Sequence, residues 1–427
     1  MSQHCGYIVK VDKLRKHDNA DRLQIATFFN TDVVVGIDTK VGDIGVYFPS
    51  DLKLGIEFCE ANNLCRKKDE NGNNIGGFLD PEKRNVKAIK LRGVKSDGIY
   101  CPIKSLETFC DINSLSVGDT ITTLNGIVIC EKYIPNRQRM SGGINRVKTI
   151  KIKPVEYPLF TEHVDTEQLV YNISAFKPGD ICYITLKMHG TSGRTGNTIK
   201  ISEKNKSFID KILRREPKKE TNWDIVSGTR RVVLDDYSGG FYGDNIFRKK
   251  YQDLFSGKLM KGEEVFYEIV GFVSENKPIM PDGNNKKLND KEFVKQYGDT
   301  TRFSYGCEDG ENDIYVYRMT ITNEDGYVVE YPWELVKLRC EQMGVKHVPE
   351  FERFIYTTEG DLMERVNKYV SGPDPIGKTH TREGVVVRIN DKPSFKAYKH
   401  KSYEFKVLEG LIKESVTAPD MEESQDI

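Results

Sequence analysis

The stretch YITLKMHGTSGRTGNTIKIS, residues 183–202, indicates the fold more sharply than any other part of the chain. An apolar strand is predicted to run into Lys187, and a turn with Gly190 and Gly193 is predicted to lead into a second strand. A lysine at such a strand end can be held facing a cleft. As a nucleophile it would need its free pKa of about 10.4 lowered, by burial or by nearby cations. Taken alone, the spacing is more typical of a surface lysine beside a hairpin turn.

Two further segments place carboxylates at strands. Glu268 lies among apolar residues in KGEEVFYEIVGF (261–272), which predicts a half-buried strand. Glu383 stands just before the β-branched run of TREGVVVRI (381–389), where a carboxylate could hold a divalent ion. Because single acids on strands usually face solvent, neither segment decides a function by itself.

An aromatic segment, DIYVYRMTI (313–321), is predicted to present Tyr315 and Tyr317 on one face of a strand. Core packing explains such a pair in most proteins. The functional alternative is that one of the rings stacks on a base.

A basic segment, SFKAYKHKSYEFK (394–406), interleaves lysines with aromatic residues. Lys399 and Lys401 alternate, so a strand would point both side chains the same way. Two cations on one face suit a triphosphate, although such a stretch is more often a solvated surface.

The composition excludes several classes of protein. The chain has 427 residues, enough for two or three domains, and its 64 Lys+Arg and 64 Asp+Glu give a formal net charge of +0. Any nucleic-acid partner must therefore be held by local patches. No apolar run approaches the roughly 18 residues that cross a bilayer. The nine cysteines form no CxxC pair, which favours reduced thiols and a cytoplasmic protein, in a host cytoplasm if the chain is viral.

The chain divides into a β-rich first third and a mixed remainder. Apolar runs at 33–37, 41–48 and 118–134, separated by turn signals, predict a small barrel or sandwich, with one helix at 54–64. Helices are predicted in SFIDKILRRE, YPWELVKLRCEQMG and EGDLMERVNKYV, and strands in DICYITLKM, EEVFYEIVGF, DIYVYRMTI, GYVVEYP and EGVVVRI. This mixture is typical of an α+β domain.

The five segments together resemble one superfamily. Their order is that of motifs I, III, IIIa, IV and V of the covalent nucleotidyltransferases, which include ATP-dependent ligases and capping enzymes. KMHGTS resembles motif I, FYEIVG motif III, IYVYRM motif IIIa, EGVVVR motif IV and KHKS motif V, and VSGTRRVVL is similar to motif Ia of RNA ligases. One departure is His189, where most of the superfamily has Asp. If that Asp orders metal-bound waters, His189 must do so differently or another acid must compensate.

Within the superfamily the chain most resembles the Naegleria-type RNA ligases, which seal 3′-OH/5′-phosphate nicks in RNA duplexes. That family places an OB-fold before its ligase domain, and residues 17–28, 33–51 and 76–103 are similar to that OB-fold. The resemblance implies an N-terminal β-barrel (OB-fold) RNA-binding domain over 1–150 and an antiparallel-sheet nucleotidyltransferase (ATP-grasp-like ligase) domain over 151–412. An acidic, disordered tail is expected over 413–427.

The resemblance also implies the chemistry. Lys187 attacks the α-phosphate of ATP to give lysyl-AMP, the AMP moves to an RNA 5′-phosphate, and an RNA 3′-OH displaces it. Magnesium or manganese is the expected cofactor. The other residues carried over are Glu268 (near the ribose or metal waters), Tyr317 (stacking on adenine), Glu383 (associated with the metal), Lys399 and Lys401 (holding the α-phosphate region), and Arg194 and Arg230 (contacts to ribose or RNA phosphate).

The expected partners are ATP and RNA with 3′-OH and 5′-phosphate ends, bound by a monomer away from membranes. The basic clusters that would contact RNA are Arg66-Lys67-Lys68, Lys90/Arg92/Lys95, Arg137/Arg139/Arg146, Lys211–Lys219 and Arg248-Lys249-Lys250. Alternatives are a DNA ligase, a capping guanylyltransferase, or an RNA-binding protein that keeps a ligase-like fold without catalysis. Capping enzymes usually carry their OB-fold after the nucleotidyl domain, a layout absent here.

Overall fold

The computed structural model describes residues 4–72, 74–134, 157–203, 219–234, 237–239, 241–243, 245–288 and 290–414. The strands of the first third are β1 (Gly6–Lys10), β2 (Leu14–Lys16), β3 (Leu23–Phe28), β4 (Thr31–Gly36), β5 (Ile44–Phe48), β6 (Leu52–Leu54), β7 (Lys67–Lys68), β8 (Asn74–Gly76), β9 (Ala88–Leu91), β10 (Val94–Asp97), β11 (Ile99–Pro102), β12 (Thr120–Ile121), β13 (Thr123–Leu124), β14 (Ile127–Val128) and β15 (Cys130–Lys132). One described α-helix accompanies them, α1 (Ile56–Ala61).

The strands of the remainder are β16 (Glu167–Gln168), β17 (Ile181–Lys187), β18 (Thr191–Glu203), β19 (Lys219–Gly228), β20 (Glu263–Ser274), β21 (Lys277–Pro278), β22 (Gly283–Asn284), β23 (Thr300–Thr301), β24 (Asn312–Thr322), β25 (Val328–Glu330), β26 (Glu350–Ile355), β27 (Gly384–Ile389) and β28 (Ala397–Lys401). Its described α-helices are α2 (Ile246–Phe255), α3 (Lys291–Tyr297), α4 (Trp333–Met343), α5 (Glu359–Val370) and α6 (Tyr403–Glu414). No described helix is long and apolar enough to cross a membrane.

The first third is built around a four-stranded antiparallel sheet in the order β11-β5-β1-β12. Alternate side chains of this sheet enter two separate cores, with Ile8 and Phe48 in one and Tyr7 and Tyr47 in the other. A three-stranded sheet, β2-β3-β4, and several two-stranded ladders complete this part. Its described strands form separate sheets and no closed barrel, because many are only two or three residues long and cannot carry a continuous ladder. The OB-fold assignment therefore stays a prediction.

Two antiparallel sheets form the rest of the described chain. One has the order β16-β28-β27-β17-β26, in which β16 pairs with β28 in parallel, and the other has the order β19-β18-β20-β24-β25 with β21 added to β20. We call them the first and the second sheet. Residues 188–190 connect β17 of the first sheet to β18 of the second, so the short turn after Lys187 crosses between them.

The cores leave one face of the first sheet available. Its strands β17 and β27 contribute Ile184 and Val387 to a core that α5 covers with Leu362 and Val366. The alternate residues of these strands point to the opposite side. A larger core joins the second sheet to α2 and α4, the latter through the fully buried Trp333. The uncovered face of the first sheet therefore looks toward the second sheet.

Among the described residues, three ion pairs join the first third to the rest of the protein. Lys406 Nζ lies 2.5 Å from Asp97 Oδ2, Lys95 Nζ lies 2.6 Å from Glu404 Oε1, and a third pair joins Lys90 to Asp290 at 3.1 Å. Two of these contacts fall on α6. That helix, which follows the paired-lysine strand, is thereby tied to the first third.

The predicted α+β mixture with antiparallel sheets is confirmed, as are the helices that became α4 and α5 and the five strands predicted from residue 180 onward. The helix predicted at 54–64 is shorter and spans only α1. Helices α2, α3 and α6 were not predicted. The helix predicted in SFIDKILRRE and the domain boundary at 150 lie outside the described residues, as does the predicted tail beyond Glu414.

The position of Gly193 corrects one prediction. Strand β18 already begins at Thr191, so Gly193 lies within the strand and not in the turn. A Cβ at Gly193 would lie 2.4 Å from the ring of Tyr267, a fully buried side chain of β20. Gly193 is therefore needed for close packing of β18 on β20.

We expect Gly193→Ala to lower the free energy of unfolding by about 1–3 kcal/mol, because the new methyl group overpacks the Tyr267 ring. Gly36→Ala is the matched control, since nothing lies within 4 Å of a Cβ built at that strand position. Its effect should stay within about 0.5 kcal/mol. Urea unfolding followed by circular dichroism measures both, and equal effects of the two substitutions would contradict the packing argument.

Candidate active site

Three neighbouring strands bring two lysines together at the edge of the first sheet. Lys187, the last residue of β17, pairs with Gly384 of β27, and Gly384 pairs in turn with Lys401 of β28. Gly384 has a φ of +154°, and a Cβ there would lie 2.1 Å from the carbonyl oxygen of His400. Only glycine fits at this point of β27, because any Cβ would collide with the backbone of the neighbouring β28.

A single carboxylate lies between those ammonium groups. Glu383 Oε1 is 2.7 Å from Lys187 Nζ and 3.6 Å from Lys401 Nζ. Lys401 is also held by both oxygens of Glu409 on α6, at 2.9 and 2.8 Å. The side chain of Lys187 is 15% exposed and that of Glu383 is 1% exposed. The Lys187 amine therefore sits at the wall of a cleft and not in bulk water.

Glu383 lies in surroundings that are charged but buried from solvent. Burial raises the pKa of its carboxyl, while the charges of Lys187 and Lys401 oppose that rise. Its second oxygen, Oε2, has no hydrogen-bond partner among the described residues and lies 3.7 Å from Nδ1 of His189. The His189 ring stands edge-on between Phe303 and Phe405. A buried carboxylate oxygen without a partner is a candidate ligand for a cation.

The cleft lies between the two sheets. Its walls include Lys187, Glu383 and Arg388 from the first sheet or its edge, and Glu268 and Tyr317 from the second. Glu268 is fixed by the turn between the sheets, because the backbone N–H of Gly190 donates to its Oε1 at 3.1 Å. The sequence-predicted nucleophile, both acids and the stacking candidate therefore meet in one place.

Tyr317 lines the cleft and lies at a β-bulge. Phe266 of β20 pairs with Arg318 and Tyr267 pairs with Val316, so Tyr317 is the extra residue of β24. Tyr315, two residues earlier, packs beneath Lys346, whose Nζ is 5.7 Å from its ring centre. Tyr315 pairs with Glu268 and Val316 pairs with Tyr267, so the pairing is regular up to the bulge and keeps the alternation in which Tyr315 and Tyr317 share one strand face.

A second cavity, which we call the polar chamber, adjoins the cleft and shares Lys187 and Arg230 with it. Lys399 and Lys401 both line the chamber, as their alternation on β28 predicts. The first third of the chain contributes to the opposite wall of the chamber. Arg230 forms an ion pair with Asp165 at 2.9 Å. The chamber is lined by Lys132, Arg230, Arg231, Lys399, Lys401 and Lys406 together with Asp51, Asp97 and Asp165. It is a net cationic space next to the Lys187 amine.

Arg194 does not reach either cavity. Its guanidinium is buried, donates from Nε to the carbonyl of Thr229 at 2.9 Å, and lies 3.6 Å from Glu264 Oε1. It also donates to the carbonyl of Thr161 and stacks on the ring of Phe160. These contacts hold Arg194 in the protein interior, away from both cavities.

Several predicted RNA contacts have other partners. Lys90 and Lys95 form the ion pairs to Asp290 and Glu404, and Arg248 is buried with its NH1 donating to the Ser192 carbonyl at 2.8 Å. Arg66-Lys67-Lys68 is exposed. Arg137/Arg139/Arg146 and nearly all of Lys211–Lys219 lie outside the described residues.

Four of the cleft residues that were not predicted make notable contacts or line one end of the cleft. His163 faces the Tyr317 hydroxyl across 3.3 Å, Glu409 holds Lys401, and Trp333 and Arg388 line the end away from the polar chamber. Arg388 belongs to the segment 381–389, whose sequence pattern could have indicated it. His163 and Glu409 reach the cleft from parts of the chain without any such pattern.

Comparisons with known proteins point to one fold. No family model and no curated protein matches the chain. Among solved structures, a mutant of Naegleria gruberi RNA ligase with AMP and Mn matches at a TM-score of 0.57 and 17% identity, over 94% of this chain and 97% of that chain. Another mutant of that ligase, with ATP and Mn, matches at 0.56 and 16%, over 94% and 98%. The same ligase with pyrophosphate matches at 0.56 and 16%, over 93% and 96%. The chain has the fold of this RNA ligase.

The residues present could hold a divalent cation only if a bound phosphate-bearing molecule supplied further ligands. Among the described residues, no group of three or more His, Cys, Asp or Glu side chains could hold a metal. Magnesium commonly binds one or two carboxylates and completes its shell with phosphate oxygens and water. Glu383, with its unpartnered Oε2, provides one such carboxylate.

The Arg194–Glu264 pair predicts a pH dependence of stability. Burial raises the pKa of Glu264 from 4.5 to about 7, against the opposing effects of Arg194 and Thr161. The folded state therefore binds this proton more tightly than the unfolded state, so this carboxyl lowers the free energy of unfolding as pH rises from about 4.5 to about 7.

We expect the stability of Glu264→Gln, relative to the native protein, to increase over that pH range by at most about 3 kcal/mol. Urea unfolding at several pH values measures the difference. The exposed Glu275→Gln is the control and should show no such trend. Parallel stability profiles for native protein and Glu264→Gln would rule out a raised pKa.

Proposed function

We propose that the protein is an ATP-dependent RNA ligase that seals 3′-OH/5′-phosphate RNA ends, through lysyl-AMP and RNA-adenylate intermediates. The observation that carries the proposal is the placement of Lys187 at the cleft wall, 2.7 Å from buried Glu383 and across Gly384 from Lys401. The fold shared with the Naegleria gruberi RNA ligase supports the same function.

In the first step, Lys187 Nζ bonds to the α-phosphorus of ATP while the bond from that phosphorus to the bridging oxygen of the β-phosphate breaks. Pyrophosphate leaves with the electron pair. An ammonium has no lone pair, so its proton must depart before attack, and Glu383 Oε1 is an acceptor already in contact. Burial, which raises the pKa of Glu383, makes that carboxylate a better base.

The nucleotide would lie along the cleft, with its base at the end lined by Trp333 and its phosphates toward the polar chamber. Tyr317 is the proposed stacking partner of adenine, at the end lined by Trp333 and Val348. Glu268 would accept hydrogen bonds from the ribose hydroxyls. Lys399, Lys401 and Arg230 face the polar chamber, where their charges would offset the phosphates. This arrangement aims the α-phosphate at Lys187 by holding both ends of the nucleotide.

Glu383 is the proposed metal-associated residue. Magnesium or manganese, when bound, would neutralise phosphate charge.

In the later steps, an oxygen of the RNA 5′-phosphate attacks the α-phosphorus and breaks its bond to Lys187, which regains the amine. An RNA 3′-OH then attacks the 5′-phosphorus, and AMP leaves. The polar chamber, walled by both the first third and the ligase-like part, is the proposed path for the RNA ends. We further propose that the first third is the RNA-binding OB-fold domain.

The first test is self-adenylylation. With ATP labelled at the α-phosphate and a divalent metal, we expect label bound to the protein, and we expect Lys187→Ala to lose it completely because no other amine takes its place. Lys396→Ala is the control, since Lys396 is an exposed lysine close to the paired-lysine strand and should label like the native protein. Labelling by GTP alone would instead assign a capping activity, and no label from either nucleotide would favour a binding protein without catalysis.

The second test is sealing. A nicked duplex with RNA on the 3′-OH side should be joined by the native protein with ATP, and Lys187→Ala should join it only if the 5′ end is supplied already adenylylated. The ligated product is measured on a denaturing gel. Equal or faster sealing of an all-DNA nick would replace the RNA ligase proposal with that of a DNA ligase.

A further inference from the structure

The end of the cleft away from the polar chamber contains a charged side chain in apolar surroundings. Arg388, on β27 of the first sheet, lies against the rings of Trp333 and Phe395, with its guanidinium carbon 5.1 and 5.7 Å from their centres. Its side chain is only 8% exposed. Burial lowers its pKa to about 10, which leaves the guanidinium charged at neutral pH.

Arg388 connects the two sheets that form the cleft. Its NH2 donates to the backbone carbonyl of Tyr317 at 2.8 Å, and Tyr317 is the bulged residue of β24 in the second sheet. The bulge removes Tyr317 from the regular pairing of β24 with β20. The Arg388 donor therefore satisfies a carbonyl at the point where the tyrosine ring turns into the cleft.

The hydrogen bond from Arg388 to the Tyr317 carbonyl is not a by-product of an ion pair between Arg388 and Glu330. Glu330 on β25 receives Arg318 Nε on both oxygens, at 3.1 and 2.9 Å, whereas Arg388 NH2 stays 3.7 Å from Glu330. The carboxylate is thus already paired by Arg318. The shorter contact of Arg388 is the one to the Tyr317 carbonyl.

We infer that Arg388 is a positioning residue for nucleotide recognition, which holds the Tyr317 bulge so that the ring stacks on the base of ATP. This inference rests on the proposed function. It implies that Arg388 contributes to binding of the base and not of the phosphates, because the lysines and Arg230 that face the phosphate end lie toward the polar chamber.

The test compares a ligand that has a base with one that lacks it. Binding of α,β-methylene-ATP and of inorganic triphosphate is measured by calorimetry, so that no AMP is transferred. We expect Arg388→Met to weaken α,β-methylene-ATP binding roughly tenfold or more, the value of one stacked base. Triphosphate binding should change less than about twofold, and Arg388→Lys, which keeps a donor, should recover part of the loss.

Two further variants separate positioning from a general structural defect. In a Tyr317→Ala background, Arg388→Met should cause no further loss, because the ring it holds is gone. Arg318→Met removes the bidentate contact to Glu330 without touching the Tyr317 carbonyl, and it should retain the native preference for α,β-methylene-ATP over triphosphate.

The inference is overturned if Arg388→Met weakens both ligands equally, if its effect adds fully to that of Tyr317→Ala, or if it changes neither affinity. Each of these outcomes can be distinguished from a failure of the proposed function. A native protein that forms labelled lysyl-AMP while Arg388→Met binds like the native protein would leave the ligase proposal standing. A native protein without any labelling would remove the ligase proposal itself.

Discussion

One buried carboxylate shared by two ammonium groups is the constraint on which the candidate site depends. Glu383 cannot be buried as an isolated charge, because desolvation would be too costly. Lys187 and Lys401 supply the compensating charge, and Glu409 balances the second lysine. Every element that meets at this point, from the end of β17 to helix α6, is therefore held in place by the same electrostatic requirement. The same requirement fixes the position of the Lys187 amine.

The cleft and the adjoining polar chamber together have two chemically different ends. Trp333, Val348 and Phe395 make one end apolar, while lysines and arginines make the other cationic. A nucleoside triphosphate has the same polarity along its length, with a flat, weakly polar base at one end and charged phosphates at the other. The two sheets thus give a ligand only one favourable direction, and the bulge at Tyr317 and the donor from Arg388 refine the apolar end.

Sequence patterns predicted the parts of the site that lie on regular strands. Lys187, Glu268 and Glu383 meet at the cleft because strand ends and flanking glycines are readable in a single chain, and the alternation of Lys399 and Lys401 is correct for the same reason. Other features depend on tertiary structure. Arg194 shares a segment with Lys187 but is buried beside Glu264, and the bulge at Tyr317 has no local sequence signal. His163 and Glu409 arrive through tertiary packing of distant elements, which periodicity does not report.

The glycine between the two lysine-bearing strands limits what can stand at its position. Every amino-acid replacement at Gly384 adds at least a methyl group where the backbone of His400 already stands. A protein without this glycine would have to shift β28, and with it Lys401 and its contact to Glu383.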